Sequence, residues 1–478
     1  MMLHPFIGRR RELKLLDELW KKKVASLVVL RGRRRIGKSR LAEEFAKGRA
    51  HYVLSGNPPT EAISAQNQRE EFARQLHRQL QIPLPRADDW GDLFWLLAQH
   101  TQKGRTVIVL DEISWMGSKD PTFLGKLKTA WDLYFTKNPE CILLICGSIS
   151  SWIEKNILSS TGFFGRISLD IILEELSLQE CNEFWNGKKQ LISAFDKLKI
   201  LAVTGGVPRY LEEILPTKSA EENIQRLCFQ KEGFLYNEFE RIFSDLFSSR
   251  GVIYKQIVKR LAEGACELKE IYQALHVEKS GVISEYLHDL ITAGFIAQDT
   301  TWHIKTGKDS KLSRYRLKDN YLRFYLKYIE PNRKKIELGG LKLPLQWHSI
   351  MGLQFENLVL HNRKTIHTIL GIDTAELVNA NPFFQRPTTT HPGCQIDYMI
   401  QNKFGTCYLC EIKFATRPLT LSIITEMQKK IQSLQHPKHT SFRPVLIHVN
   451  GVDDEVIESE FFASIIDFSE LLLAPTGA

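Results

Sequence analysis

No uninterrupted apolar run in the 478 residues approaches the roughly 18 needed to cross a bilayer, so no membrane-spanning helix is expected. An internal repeat and a low-complexity tract are also missing, which excludes solenoid and fibrous architectures. The opening Met1-Met2-Leu3-His4-Pro5-Phe6 lacks the apolar core of a signal peptide. Cysteine is sparse. The eight thiols, at 141, 146, 181, 228, 266, 394, 407 and 410, lie mostly within apolar runs, which argues for buried, reduced side chains and against a disulfide framework. A cytoplasmic location is the expectation. Acidic residues are outnumbered, 55 against 64 basic, and the resulting net charge of +9 suits a polyanionic partner such as DNA or RNA. The remaining composition, 43% apolar and 25% charged, is that of a globular chain, and its length accommodates about two to four domains.

What is present begins with an apolar strand, Ser26-Leu27-Val28-Val29-Leu30-Arg31, that runs into Gly32-Arg33-Arg34-Arg35-Ile36-Gly37-Lys38-Ser39. The second stretch fits G-x-x-x-x-G-K-[ST], the phosphate-binding loop, and an amphipathic helix over 40–46 follows it as that motif requires. Gly32 and Gly37 allow the loop to curl and aim its N–H groups at phosphate oxygens. The helix start adds partial positive charge. Lys38 can reach the β/γ-phosphates, and the Ser39 hydroxyl can ligate Mg²⁺. The whole stretch from Gly32 to Arg40 is therefore the expected nucleotide cradle. Upstream, Gly8 and Arg9 open a helical segment of the kind that lines a base pocket.

Thr106-Val107-Ile108-Val109-Leu110 reads as a strand buried on both faces, and Asp111-Glu112 follows at its carboxyl end, where open α/β sheets place ligand groups. Asp111 is the candidate for Mg²⁺ and Glu112 for orienting and deprotonating the attacking water. A further strand over 141–146 ends in Gly147-Ser148. Ser148 is a candidate γ-phosphate sensor and equally a candidate N-cap for a helix over 151–158. Arg166 is a candidate for stabilising the transferring phosphoryl group, in cis or in trans, and equally an ordinary surface arginine. Alternating strands and helices to about residue 173 predict a parallel sheet covered on both faces.

From Leu176 the pattern turns helical, interrupted by Gly205-Gly206-Val207-Pro208. Taken in order, Gly8-Arg9, the loop at 32–39, Asp111-Glu112, Gly147-Ser148, Gly165-Arg166 and this turn resemble the archaeal-type P-loop ATPases, relatives of the AAA+ and STAND classes. The resemblance covers roughly the first 240 residues. It implies a helical lid with Pro208 near the base, and Arg166 near the phosphates.

Residues from about 254 to 316 read as three helices and a hairpin, similar to a winged helix-turn-helix. Val282, Ile283, Tyr286, Leu287, Leu290 and Ile291 recur on one face of the third helix. Its other face, Ser280, Ser284, Glu285, His288 and Asp289, is not a phosphate-binding set, so packing or a protein partner is favoured over base reading. In the last third, Glu356 falls on a helix, Asp397 on the strand 395–400, and Glu411 and Lys413 share one face of a second strand. Two carboxylates and a lysine on a sheet suit metal-dependent phosphodiester cleavage, with Mg²⁺ or Mn²⁺ on Asp397 and Glu411, Glu356 completing the shell, and Lys413 at the water or phosphate. Glu-Ile-Lys on a strand is common in isolation. The full order resembles the PD-(D/E)xK restriction-type nuclease domain, although Gln395 stands where that family often has an acid. Cys407 and Cys410 point to opposite faces of their strand and are expected to be buried thiols. Glu426, Gln428, Lys429 and Lys430 lie on a flanking helix, facing DNA or water.

The expectation is thus an α/β P-loop core (1–173), a helical lid (174–248), a winged helix-turn-helix (249–318) and a restriction-endonuclease-like α/β domain (319–478). It would bind and hydrolyse Mg·ATP and couple ATP state to DNA binding or cleavage. The competing expectation is a STAND-like signalling switch with an inert C-terminal adaptor, acting on a protein partner or as a homo-oligomer.

Overall fold

The computed structural model describes residues 5–58, 63–117, 119–148, 150–185, 191–247, 251–278, 281–339, 341–389 and 392–473. The chain divides into two compact units. One comprises residues up to Glu174 together with Thr292–Gly294, and the other Glu175–Ile291 together with the residues from Phe295 on.

The first unit is built on five parallel strands: β1 (Ser26–Arg31), β2 (Ala50–Ser55), β3 (Thr106–Asp111), β4 (Cys141–Gly147) and β5 (Ile167–Ile172), in the order β2-β3-β4-β1-β5. The β-branched and leucine-rich runs that form β1, β3 and β4 are apolar on both sides, as a sheet covered twice requires. Val28, Leu30, Val107, Val109, Ile142 and Leu144 pack on one face with Leu16, Leu41 and Phe45. Leu27, Val29, Ile108, Leu110, Leu143 and Ile145 pack on the other with Phe72, Trp90, Phe94 and Phe123. Caps set the helix starts. Ser64 accepts from the Asn67 N–H, and the helix Ala65–Leu80 begins there; the sequence reads as helical from Thr60 to Leu80, and residues 60–62 lie outside the described residues. Asp89 caps the helix Trp90–His100, which starts three residues ahead of the helical reading of Leu93–Gln102 because Trp90 belongs to the core. The expected helix at 151–158 is a single α-turn, Ser150–Ile153, followed by a π-turn, Glu154–Leu158.

The second unit carries the helices Gly251–Ala262, Leu268–Leu275 and Gly281–Thr292 and an antiparallel ribbon of β6 (Ile296–Trp302) and β7 (Asp309–Leu317). Ile283, Tyr286, Leu287 and Leu290 are buried as the periodicity predicts. Val282 is not. It is 49% exposed, because four apolar positions already fill the buried stripe. Ser284, Glu285 and His288 are exposed, Asp289 accepts from the Tyr254 hydroxyl, and Ser280 lies outside the described residues.

A second sheet follows: β8 (Leu377–Gln385), β9 (Cys394–Asn402), β10 (Thr406–Lys413), β11 (Ser441–His448) and β12 (Ser464–Asp467), in the order β12-β11-β10-β9-β8. β8, β9 and β10 are antiparallel, and β10, β11 and β12 parallel. Pro382 is tolerated because β8 is the sheet edge and its register shifts there. The ribbon does not stand free. Trp302 and Ile304 belong to the core of the second sheet, and the Trp302 indole donates to Gln401 at 2.6 Å. Side-chain amides of Asn379 and Asn381 reach the carbonyls of Gly307 and Thr300. Among the described residues no helix is long and apolar enough to cross a membrane.

Candidate functional site

In the first unit the loop between β1 and the helix Lys38–Ala46 is shaped by two glycines. Gly32 has φ 147°, and a Cβ there would lie 2.4 Å from the Leu173 carbonyl oxygen. Gly37 has φ 91° and caps the helix. Gly32→Ala is therefore expected to distort the loop and abolish nucleotide binding, read by titration with a fluorescent ATP analogue; undiminished binding would show that the loop tolerates the clash. Lys38 is buried and its Nζ donates to the Gly32 and Arg33 carbonyls, both at 3.0 Å. Burial pulls the ammonium below the usual lysine range, while Glu112 and Asp111 oppose the shift. The residues between the glycines divide their work. Ile36 is fully buried in the core and Arg33 is buried, whereas Arg34 and Arg35 are half-buried, Arg35 in the left-handed region at φ 69°. Arg40, in the first turn of the helix, pairs with Glu43 at 3.6 Å.

Ser39 and Asp111 meet at the end of β3, where the Ser39 hydroxyl donates to Asp111 Oδ2 at 2.8 Å. Two oxygen groups from different elements thus converge beside the buried ammonium, a donor set that suits Mg²⁺ held together with phosphate oxygens. Glu112 takes φ 49°, which turns its side chain toward Ser148. The Ser148 hydroxyl donates to Glu112 Oε2 at 2.9 Å, and its N–H to the same oxygen at 3.3 Å. In this arrangement Ser148 holds the Glu112 carboxylate.

In the second unit, Asp397 on β9 and Glu411 on β10 lie side by side. Asp397 Oδ2 accepts from the Ile412 N–H at 2.8 Å. Burial first, then the neighbouring Glu411 and Glu356, pushes the Asp397 carboxyl up to about 7. Lys413 shares the face predicted for it, with its Nζ 3.2 Å from Glu411 Oε1 and 2.9 Å from Glu426. Lys430, on the helix Ser422–Ser433, bonds the other Glu411 oxygen. Sequence reading placed Lys430 against DNA or water, and no local signal marks its partner, which is 19 residues away. Among the described residues no three His, Cys, Asp or Glu side chains are gathered to hold a metal. Burial raises the Glu356 carboxyl, with Arg316 and Arg323 opposing and Asp299 and Glu411 adding to the rise. Cys407 and Cys410 are buried free thiols, with burial raising both.

Comparison with known proteins bears on the region that holds the first site. Residues 6–214 match a family described as an ATPase domain predominantly from Archaea. That stretch is similar to archaeal-type ATPase domains. An uncharacterised protein of Methanocaldococcus jannaschii is similar to this chain at 28% identity over 360 residues, covering 73% of this chain and 75% of its own. An uncharacterised ATP-binding protein of the same organism is 39% identical over 44 residues, 9% of this chain and 75% of its own. A Walker-type ATPase of Pyrococcus abyssi shares the fold at a TM-score of 0.52 and 16% identity, covering 67% of this chain and 96% of its own.

Three further expected residues of the ATPase domain have defined surroundings. Arg9, just after Gly8 at φ 71°, is buried and donates to the carbonyls of Ile36 at 2.9 Å and Glu174 at 2.7 Å, so it braces the loop from behind. Arg166 grips Asp132 with two bonds, at 2.7 and 2.9 Å, and these hold the Asp132 carboxyl down at about 2. The same motif match runs past Glu174 into the second unit, where Pro208 is the first residue of the helix Pro208–Leu211. The turn before it needs its glycines: Gly205 has φ 58°, and the Gly206 N–H donates to Glu175 Oε2 at 2.8 Å.

Proposed function

We propose that the chain hydrolyses Mg·ATP at Lys38, Ser39, Asp111 and Glu112, and that nucleotide state controls DNA binding or metal-dependent DNA cleavage by the second unit. The observation that carries the first part is the Ser39–Asp111 bond beside buried Lys38, with Glu112 one residue further on. Lys38 neutralises phosphate charge, and the loop N–H groups and Gly37 helix start orient the phosphates. Ser39 and Asp111 would hold Mg²⁺, which would supply positive charge to offset that of the phosphates. Glu112 accepts the proton of the attacking water, and Ser148 fixes its orientation. Gly8, Arg9 and Pro208 are assigned to the base side of the pocket and Arg166 to the transferring phosphoryl group, on the family resemblance.

Support for the second part is the Asp397–Glu411 pair with Lys413 on the same sheet face, on a chain of net charge +9. One or two carboxylates, completed by water and substrate phosphate, are what Mg²⁺ usually takes, and Mn²⁺ accepts the same oxygens. The three helices and ribbon at 251–317 are read as a winged helix-turn-helix that packs rather than reads bases. A second reading is an ATP-dependent signalling switch, as homo-oligomer or with a protein partner, whose C-terminal domain is an inert adaptor. It is favoured by the Lys430 ammonium, which already neutralises Glu411. Cleavage of mixed DNA substrates with Mn²⁺ or Mg²⁺, with and without ATP, separates the two. Cutting that disappears in Asp397→Ala supports the nuclease. Absence of cutting, together with ATP turnover indifferent to added DNA, moves the assignment to the switch.

A further inference from the structure

A pocket of about 290 Å³ opens in the second unit where β7, the end of β8 and the start of β9 meet. Arg314, Phe384, Gln385, Arg386, Cys394 and Gln395 are among its lining residues. The Arg314 guanidinium lies over the Phe384 ring, 4.5 Å from its centroid, and is fixed in plane by a 2.9 Å bond to the Gln395 side chain. Arg386, 66% exposed at the rim, pairs with Glu267. The pocket adjoins the carboxylate pair. Gln395 and Asp397 are two apart on β9, at the shift in its register with β8. The Cys394 thiol donates to the carbonyl of Lys430, the residue whose ammonium holds Glu411.

We propose that this pocket receives an unpaired nucleobase at the end of a DNA strand and presents that strand to Asp397 and Glu411. The inference rests on the reading that the second unit engages DNA, and it deepens that reading by naming the substrate class: duplexes with a single-stranded tail. A guanidinium over an aromatic ring can serve as a stacking platform, which is how proteins hold splayed bases. Arg314 also keeps N–H donors beyond the one given to Gln395, for a base edge or phosphate. Arg386 at the rim adds positive charge for the backbone, in exchange for its exposed pair with Glu267. Gln395 is uncharged and so does not repel an entering phosphate.

The test uses the full chain and two fluorescent oligonucleotide probes, a blunt duplex and the same duplex with an unpaired thymidine tail, followed by anisotropy. The wild type is expected to bind the tailed probe more tightly. Arg314→Lys keeps the charge and loses the plane; it should weaken tailed binding by roughly tenfold and leave blunt binding unchanged. Phe384→Leu should do the same, and Arg386→Gln should weaken tailed binding and flatten its salt dependence. Thermal melting and ATP turnover confirm that each variant is folded; if Phe384→Leu is not, the two arginine variants decide. Equal affinity of the wild type for both probes, or a tail preference that survives Arg314→Lys, overturns the pocket assignment and leaves DNA control by the second unit standing. Failure of the wild type to bind either probe overturns that reading and the pocket together.

Discussion

Glu112→Gln is expected to slow ATP turnover by about 10²–10⁴-fold while ATP binding is retained, because a general base contributes about that factor and an amide cannot take the proton. The geometry makes the substitution a clean one. Glutamine keeps an oxygen to accept from the Ser148 hydroxyl and N–H, which now meet Glu112 at 2.9 and 3.3 Å. The left-handed backbone at residue 112 is set by the end of β3 and does not depend on the charge. Removal of an anion beside Lys38 also lessens repulsion of the nucleotide phosphates, so affinity should hold or rise. Single-turnover hydrolysis and titration with a fluorescent nucleotide read the two quantities separately. Turnover within threefold of wild type would remove Glu112 from the chemistry; a parallel loss of binding would make it a structural residue of the loop.

Arg323→Ala should destabilise the second unit by about 3–5 kcal/mol, the range found when one partner of a buried charged network is removed. Arg323 is 1% exposed. Its guanidinium donates to Gln354 Oε1 at 2.6 Å and to the Leu317 carbonyl at 2.8 Å. Burial, and then neighbouring Arg316, pulls its pKa down to about 10, with Glu356 and Asp319 opposing. Truncation leaves the Gln354 amide oxygen without this donor and the Leu317 carbonyl with only its bond from Asn357, opens a cavity in a buried site, and strips Glu356 of one of its two cations. Chemical denaturation followed through Trp302 and Trp347, both buried in this unit, should show a lower midpoint. A shift below about 1 kcal/mol would mean that water replaces the guanidinium. Because Arg316 and Arg323 both face Glu356, the same variant should also disturb the carboxylate pair, which a double substitution with Asp397→Asn can apportion.

The parts of this protein that are local in sequence were legible in it. The phosphate loop announces itself because its glycines, lysine and serine act within eight residues of one another. The β3 run reads as a doubly buried strand because every residue from Thr106 to Leu110 is buried. The pairing of Glu411 with Lys413 follows from strand alternation alone. What escaped is tertiary. Ser148 is 36 residues from Glu112, Asp132 is 34 from Arg166, and Lys430 is 19 from Glu411, and no periodicity connects any of these. Val282 misled because apolar spacing marks which residues can share a face, whereas the neighbours decide how wide the buried stripe is. Glu356 lies on the helix Met351–His361 as expected, and its nearness to Arg316 and Arg323 is again tertiary.

The docking of the ribbon on β8 has a consequence for synthesis on the ribosome. Thr300 and Thr301 find their partners Asn381 and Phe384 only 81 and 83 residues later in the chain. Until those residues emerge, the flank of β6 is an open edge and Trp302 is a large apolar side chain in water. Such an edge is a template for pairing with another chain. A fragment ending after Leu317 would hold that state permanently and should aggregate, and the nascent chain passes through it on every round of translation.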